Sequence, residues 1–344
     1  MIERLSSMRT QPFGLGPTRV GQALSRMWSP QGWLRRTFMQ PAARAVRATR
    51  LLLFPVHAWR LHDLNRVGGF LRADPLMFMK REHCLSRFFG LRQRIDNALL
   101  HYQHELHGFD ETYRKRVYHE DGLVLFEDQV GDVRVSMRLA ASGEHRCEGD
   151  VTVFVELDGQ AACYVSYSFV NAACFGLPPG KTMFVTRSQL MPGVHLFRRC
   201  YPHNSPQYFC LAAIAGIAMA NDIRRIACIK AEAQVCYQAV HGESFRNSYC
   251  NFWSQFGARS IDHQAYMLDV PLSVRPLSSV LSKHRARAIE RRKHWASITQ
   301  RTEAVMRALR IEGVGASKPR ATSVLTVFEC VVSVGLAMEL LFDA

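Results

Sequence analysis

The sequence predicts an α+β fold in which helices pack on a mixed, mostly antiparallel sheet, and three stretches predict it. Residues 223–271 open with a short β-branched run, pass through an amphipathic segment ending in Tyr249, Phe252 and Trp253, and close on a second strand before Pro271. That is a strand, helix, strand unit, as expected for one crossover in a sheet. Residues 122–170 hold short β-branched and aromatic runs separated by turn signals, of which Asp158-Gly159 is the strongest. They read as an antiparallel meander. Residues 206–220 are apolar nearly all round and rich in Ala and Gly, the composition of a helix buried between layers.

At 344 residues and 48% hydrophobic, the chain can bury one large core or two modest ones. Four parts are expected: a basic, weakly ordered segment over 1–40, a helical N-terminal cap over 41–120, the sheet domain over 121–311 and a tail over 312–344. The net charge of +15 comes from 44 Lys and Arg against 29 Asp and Glu, with the excess at the two ends. It favours anionic partners such as a lipid surface, a nucleic acid or a phosphorylated ligand, or simply serves solubility. Nucleic acid ranks last, because no recognisable module accompanies the charge. The 10 cysteines form no CxxC pair or Cys/His comb, which argues against a zinc ribbon or disulfide framework. Cys163, Cys210, Cys228 and Cys236 sit among apolar neighbours and read as buried thiols in a reducing cytosol. The first 50 residues lack an uninterrupted apolar run and carry nine Arg against one acid, Glu3, so secretory export is not expected. A cytoplasmic protein is expected, with peripheral attachment at the inner membrane as the alternative.

Along residues 1–40, Pro12, Gly14, Gly16, Pro17 and Pro30 break any helix, while Trp28, Trp33 and Phe38 interrupt an Arg-rich background. Such a segment suits a membrane surface; a disordered start and a presequence-like leader are the alternatives. A helix follows over 41–64 with a kink at Pro55, then a second over 75–89. A third, over 91–106, carries Leu91, Ile95, Leu99, Tyr102 and Leu106 at spacings of three and four, one stripe facing a core. His101, His104 and His107 recur every third residue there, which raises a metal reading; with no further ligand nearby they read as ordinary histidines, and no metal is expected. A fifth strand is predicted over 183–188, after the Pro-Pro-Gly turn at 178–180. Asn204 or Ser205 can cap the buried helix. After Pro271, six Lys or Arg against one acid, Glu290, fill a helix over 282–295. It is either a phosphate-contacting stripe or a solvated face. The stretch 323–342 is apolar but contains Glu329 and Glu339, which makes it marginal as a membrane span.

Several short motifs resemble the VirK/YbjX family of bacterial proteins, linked to virulence and envelope functions and of unknown biochemical activity. They are Arg72-Ala73-Asp74-Pro75, His101-Tyr102, Phe109 to Tyr113, Glu148-Gly149, Tyr167-Ser168-Phe169, Gln189, Ile223 to Ile226, Gln234 to Tyr237, Ser248-Tyr249 with Phe252-Trp253, Tyr266 with Pro271, and Lys283 to Ala286. Their order and spacing carry the likeness over residues 65–295. The chain departs from the pattern at Cys250, where Asp is usual, at Gln234, where His is common, and at Lys230 and Ala231, where Ser and Asn are usual. The resemblance implies an envelope or virulence role, non-enzymatic if those polar residues carried the chemistry.

The order of elements is also similar to acyltransferases of the GNAT type, in which the coenzyme A pyrophosphate meets backbone N–H groups at a helix N-terminus. Gln189 and Gly193 echo the start of that phosphate loop, although a dozen residues separate Gly193 from the long helix. On this alternative the donor is acyl-CoA or an acyl carrier protein, and otherwise no cofactor is expected. Glu148 at a strand end is the candidate base, because burial raises a carboxylate toward neutrality. Tyr249 is the candidate acid for the leaving thiolate. The plainer alternatives are a solvated turn for Glu148 and simple packing against Phe252 and Trp253 for Tyr249. The rival reading is a non-enzymatic accessory protein that binds an anionic surface through Arg35, Arg36, Arg285, Arg291 and Arg292.

Overall fold

The computed structural model describes residues 55–67, 85–142, 149–274 and 276–311. The readings on residues 1–54, including Arg35 and Arg36, on Glu148 and on the tail 312–344 therefore lie outside the described residues. Backbone contacts divide the chain into two units, Met1–Trp59 and Arg60–Ala344; of the first, only the residues from Pro55 onward are described.

Helix α1 (Pro55–Val67) starts at the proline read above as a kink. Residues 85–90 form a turn where the sequence predicts the end of a second helix. Helices α2 (Leu91–Gly108) and α3 (Glu111–Tyr118) follow, the latter capped by the Asp110 carboxylate, which accepts the Tyr113 N–H at 2.8 Å. Arg60 pairs with Asp96 across α1 and α2.

The meander is β1 (Leu123–Val130), β2 (Val133–Ala141), β3 (Val151–Leu157) and β4 (Gln160–Asn171). Asp158 and Gly159 turn the third hairpin with φ of 47° and 77°, the left-handed pair that a two-residue hairpin requires. After β5 (Lys181–Leu190) come α4 (Val194–Cys200), α5 (Pro206–Ala220) and β6 (Arg225–Ile229). The chain then makes an excursion through α6 (Gly242–Ser248) and α7 (Cys250–Ser254). It returns by β7 (Arg259–Ser260) and β8 (Ala265–Asp269) and continues into α8 (Ser282–Ala308), the last described helix. The described strands form one eight-stranded mixed sheet in the order β1-β2-β3-β4-β5-β6-β8-β7. The fold is α+β with packed helices.

One expectation needs correction. The unit over 223–271 is no parallel crossover, because β6 and β8 are antiparallel neighbours. The parallel pair is β5 and β6, and the connection that crosses the sheet face is α4 with α5. Helix α5 suits that place because it exposes almost nothing: it packs on β3, β4 and β5 and is covered by α8. Gly216 makes the α5–α8 approach possible, since a Cβ there would stand 2.5 Å from the Thr299 carbonyl oxygen. The end carbonyls of α5 are met by Arg307 of α8, whose Nη2 donates to Met219 O at 3.1 Å, and by Arg310 just past that helix, whose Nη1 donates to Ala220 O, as a helix terminus needs. At the other end neither Asn204 nor Ser205 caps a helix amide with its side chain; Asn204 Oδ1 instead accepts the Ser205 N–H at 3.1 Å and Trp295 Nε1–H at 3.2 Å.

Helix α2 forms where its period predicts, and Ile95 and Tyr102 of the predicted stripe are buried, but the inward face is turned to include Asn97, His101 and Glu105 while Leu91, Leu99 and Leu106 are half-exposed. The reason lies in β4, which outruns β3 beyond Tyr167. His101 Nδ1 accepts the Phe169 N–H at 3.2 Å and Asn97 Oδ1 the Asn171 N–H at 2.9 Å, so two side chains one helical turn apart stand in for the missing strand. Cys163, Cys210 and Cys228 are buried as read, whereas Cys236 is exposed because it falls on the excursion and not in a strand.

Candidate functional site

The parallel strands β5 and β6 are paired at Met183, Phe184 and Val185 and then separate. At that point β5 carries one residue too many against β4: Tyr167 faces Val185, Ser166 faces Arg187, and Thr186 is the bulge between them. A bulge bends its strand and sharpens its twist. Beyond it β5 continues to Leu190 while β6 stops at Ile229, whose carbonyl is taken by Trp253 Nε1–H at 3.0 Å. The result is a wedge between two parallel strands, and the backbone of β5 on its open side needs partners.

Two side chains from the excursion supply them. The buried Gln234 carboxamide donates to Thr186 O. Tyr249 donates its hydroxyl to Ser188 O at 3.3 Å and accepts from Ser188 N–H at 3.5 Å. At the wide end a pocket of about 440 Å³ remains, lined by Ser188, Gln189, Leu190, Ser205, Gln207, Tyr208, Asn247, Ser248, Phe252 and Gln255. Gln207 Nε2 donates to Ser188 Oγ at 2.9 Å, and the Tyr208 ring stacks on Phe252 at 5.5 Å with Trp295 edge-on at 5.2 Å. Burial raises the Tyr208 hydroxyl above its ordinary range, against the pull of the Arg291 guanidinium. The pocket is thus lined by amides, hydroxyls and rings, with the Arg291 guanidinium acting on one of them, Tyr208.

Of the residues singled out in the sequence, Gln189 and Tyr249 reach this place and Gly193 does not. Gln189 borders the pocket with its carboxamide oxygen already accepting from Tyr164 Oη at 2.6 Å and Arg187 Nη2 at 2.8 Å. Tyr249 is buried and stacked on Phe245 at 6.2 Å, not on the Phe252 and Trp253 of the plainer reading, and its hydroxyl lies in the wedge. Gly193 is followed at once by a helix, not by a dozen residues of loop. Its N–H donates to Ala161 O at 2.9 Å and the next amide, of Val194, to Met191 O at 3.0 Å, so neither is left for a phosphate. The residue is glycine because a Cβ would lie 2.7 Å from Ala161 O. Gly193→Ala is therefore expected to cost about 2 kcal/mol by overpacking, seen as a lower melting temperature with or without any ligand. Arg285, Arg291 and Arg292 share α8; Arg285 is exposed, and Arg291 Nη1 donates to His203 O at 3.5 Å.

A second cluster went unnoticed in the sequence. Glu105 is wholly buried beneath α3, accepting from Tyr113 Oη at 3.0 Å on one oxygen. Burial pushes its carboxyl up to about 8, against the hydrogen bonds from Tyr113 and Tyr118, so it is a neutral acid at pH 7. His101 is kept neutral by burial; with Nδ1 accepting, its proton sits on Nε2, 3.4 Å from the Tyr118 hydroxyl. His104 is held down at about 3 by burial and by Lys181, whose ammonium lies 3.0 Å from Nδ1. His107 is exposed, so the three histidines face different surroundings. The available signal was a carboxylate three residues after Tyr102 and four after His101, on an otherwise inward face.

No helix among the described residues is long and apolar enough to cross a membrane. Comparison with protein-family models, curated proteins and solved structures finds no match.

Proposed function

We propose that this chain binds an acyl thioester, its pantetheine-type arm lying in the wedge between β5 and β6, and serves the bacterial envelope in acyl transfer, the role combining the acyltransferase and VirK/YbjX resemblances. The observation that carries this reading is the bulge at Thr186 with the parting of two parallel strands just beyond it. A pantetheine arm carries two amides in a flexible chain, and it needs backbone N–H and C=O groups along an open strand edge. The groups at Thr186 and Ser188 are of that kind, and the side-chain amide of Gln234 occupies the first of them much as a ligand amide would. Tyr249, hydrogen-bonded at Ser188, would give its proton to the departing thiolate as an acceptor amine attacks the thioester carbon and the C–S bond breaks, the tyrosinate then taking up the proton that the nitrogen loses on becoming an amide. The second reading, a non-enzymatic envelope accessory protein, draws support from those same two side chains, which already fill the wedge.

Gln234→Ala separates the readings. Removing the carboxamide strands the buried Thr186 carbonyl, which costs about 1–3 kcal/mol, so the ligand-free protein melts lower. If the wedge takes a thioester arm, acyl-pantetheine restores the lost stability, and its affinity for the variant rises about tenfold, the equivalent of roughly 1.4 kcal/mol. A variant that is merely less stable, with no acyl thioester shifting either protein in calorimetric titration, leaves the accessory reading in its place.

A further inference from the structure

We infer that the thioester reaches this wedge on an acidic carrier protein of the acyl-carrier type, which docks on the first half of α8. The inference rests on the thioester reading above and names its partner. Free coenzyme A would bring a pyrophosphate and a phosphorylated nucleotide to the end of β5, where the amides of Gly193, Val194 and Phe197 are already bonded to Ala161, Met191 and Gly193 carbonyls. The pocket there offers uncharged Ser188, Gln207, Asn247 and Gln255, which match the amides and hydroxyl of the arm and not three phosphates.

The charge lies instead on α8, which leads away from that pocket. Trp295 closes the aromatic stack around Tyr208, and Arg291 stands one turn nearer the start of the helix. Its Nε is buried without a hydrogen-bond partner among the described residues, and its guanidinium acts on the Tyr208 hydroxyl of the pocket lining. Residues 281–287 are all exposed. Within them no carboxylate among the described residues pairs with Lys283, Arg285 or Arg287. Leu281 and Ile289 add apolar area, being 66% and 41% exposed.

The first turn of α8 has no acid and no side-chain cap, so its cations sit at the positive end of the helix dipole, where charge of that sign is least favoured. Lys283, Arg287 and Arg291, each four residues from the next, share one face of α8, and a negatively charged helix laid along it relieves both the mutual repulsion and the dipole, while Arg285 and Ile289 project from another face. The carrier's acidic helix therefore lies along α8 while its arm runs past Arg291 and Tyr208 into the pocket.

The full chain is titrated with an acyl carrier protein bearing a long acyl chain, with the matching acyl-CoA, with acyl-pantetheine alone, and with anionic vesicles of phosphatidylglycerol. The carrier protein is expected to bind at least about tenfold more tightly than acyl-CoA, and more weakly as salt rises. The triple variant Lys283→Glu, Arg285→Glu, Arg287→Glu, all on the exposed surface, is expected to lose that advantage while its melting temperature and its affinity for acyl-pantetheine stay unchanged. Equal binding of carrier protein and acyl-CoA, or a triple variant that binds the carrier as well as the parent, overturns the docking and leaves the thioester wedge standing. Vesicle binding that the triple variant abolishes, with no binding of carrier protein, assigns the surface to lipid and overturns the inference as well. If acyl-pantetheine itself fails to bind, the thioester reading falls and the docking falls with it.

Discussion

Gly216→Ala is expected to lower the melting temperature by about 4–8 °C, even though alanine is the better helix former by about 1 kcal/mol. The added methyl would meet Thr299 O at 2.5 Å, Thr302 Cβ at 2.9 Å and Glu303 N at 3.1 Å. Two of these are backbone atoms in the middle of α8, and none can swing aside. The helices must part by a fraction of an ångström along their whole contact, which strains the Thr299 Oγ1 to Ala212 O bond of 2.9 Å and the two arginines that close the end of α5. Overpacking of this kind costs about 1–3 kcal/mol and more when rigid backbone is the obstacle, so the clash outweighs the gain in propensity. Gly216→Leu is expected to give no cooperative transition at all. A differential scanning calorimeter decides it, and an unchanged or higher melting temperature for the alanine variant would mean that α8 does not lie on α5.

Glu105→Gln is expected to change how stability depends on pH. In the folded protein this carboxyl holds its proton to about 8, whereas the unfolded chain releases it at the ordinary 4.5. Below 4.5 both states are protonated and the group contributes nothing. Between 4.5 and 8 the unfolded state binds fewer protons, so stability falls as pH rises, and above 8 the full penalty stays constant. A glutamine keeps an acceptor for Tyr113 and carries no charge to desolvate. The variant is therefore expected to match the parent near pH 4 and to exceed it at pH 8 by about 4 kcal/mol. His104 works the other way, because its folded value of about 3 lies below the ordinary 6.5 and its contribution is lost as pH falls through that interval. The parent should thus be most stable in the mildly acidic range and the variant from neutral pH upward. Urea titrations at a series of pH values read both curves; if they run parallel, Glu105 is ionised in the fold.

Local chemistry made much of this architecture readable. Alternation and the Asp158-Gly159 turn were enough for the meander, and the unbroken apolar run with Pro206 at its start was enough for α5. What escaped is what depends on distant partners. Side-chain alternation is the same for parallel and antiparallel neighbours, so the pairing of β6 with β5 on one side and β8 on the other left no trace. The inward face of α2 was read only in part: Ile95 and Tyr102 are buried as predicted, but Asn97 and His101 serve amides of β4, a need that arises only once β3 is seen to stop short. The bulge at Thr186 has no glycine to mark it, and the pocket draws on residues from Ser188 to Gln255. Gly193 was read as the start of a phosphate loop, whereas its lack of a side chain serves the close approach of the Ala161 carbonyl.

The two margins of the sheet are guarded at very different moments. The β7 margin is a two-residue stub tied down by Arg259 and Asp269 at 3.0 Å, and it is finished almost as soon as it is made. The β1 margin is kinked between Val124 and Phe126 and shielded by α8, where Arg301 Nη1 caps Glu127 O at 3.0 Å across 174 residues of chain. A ribosome adding about 5–20 residues per second needs roughly 9–35 s to cover that distance. For that interval a bare strand waits in the cell without its shield, open to recruitment by any other unpaired strand.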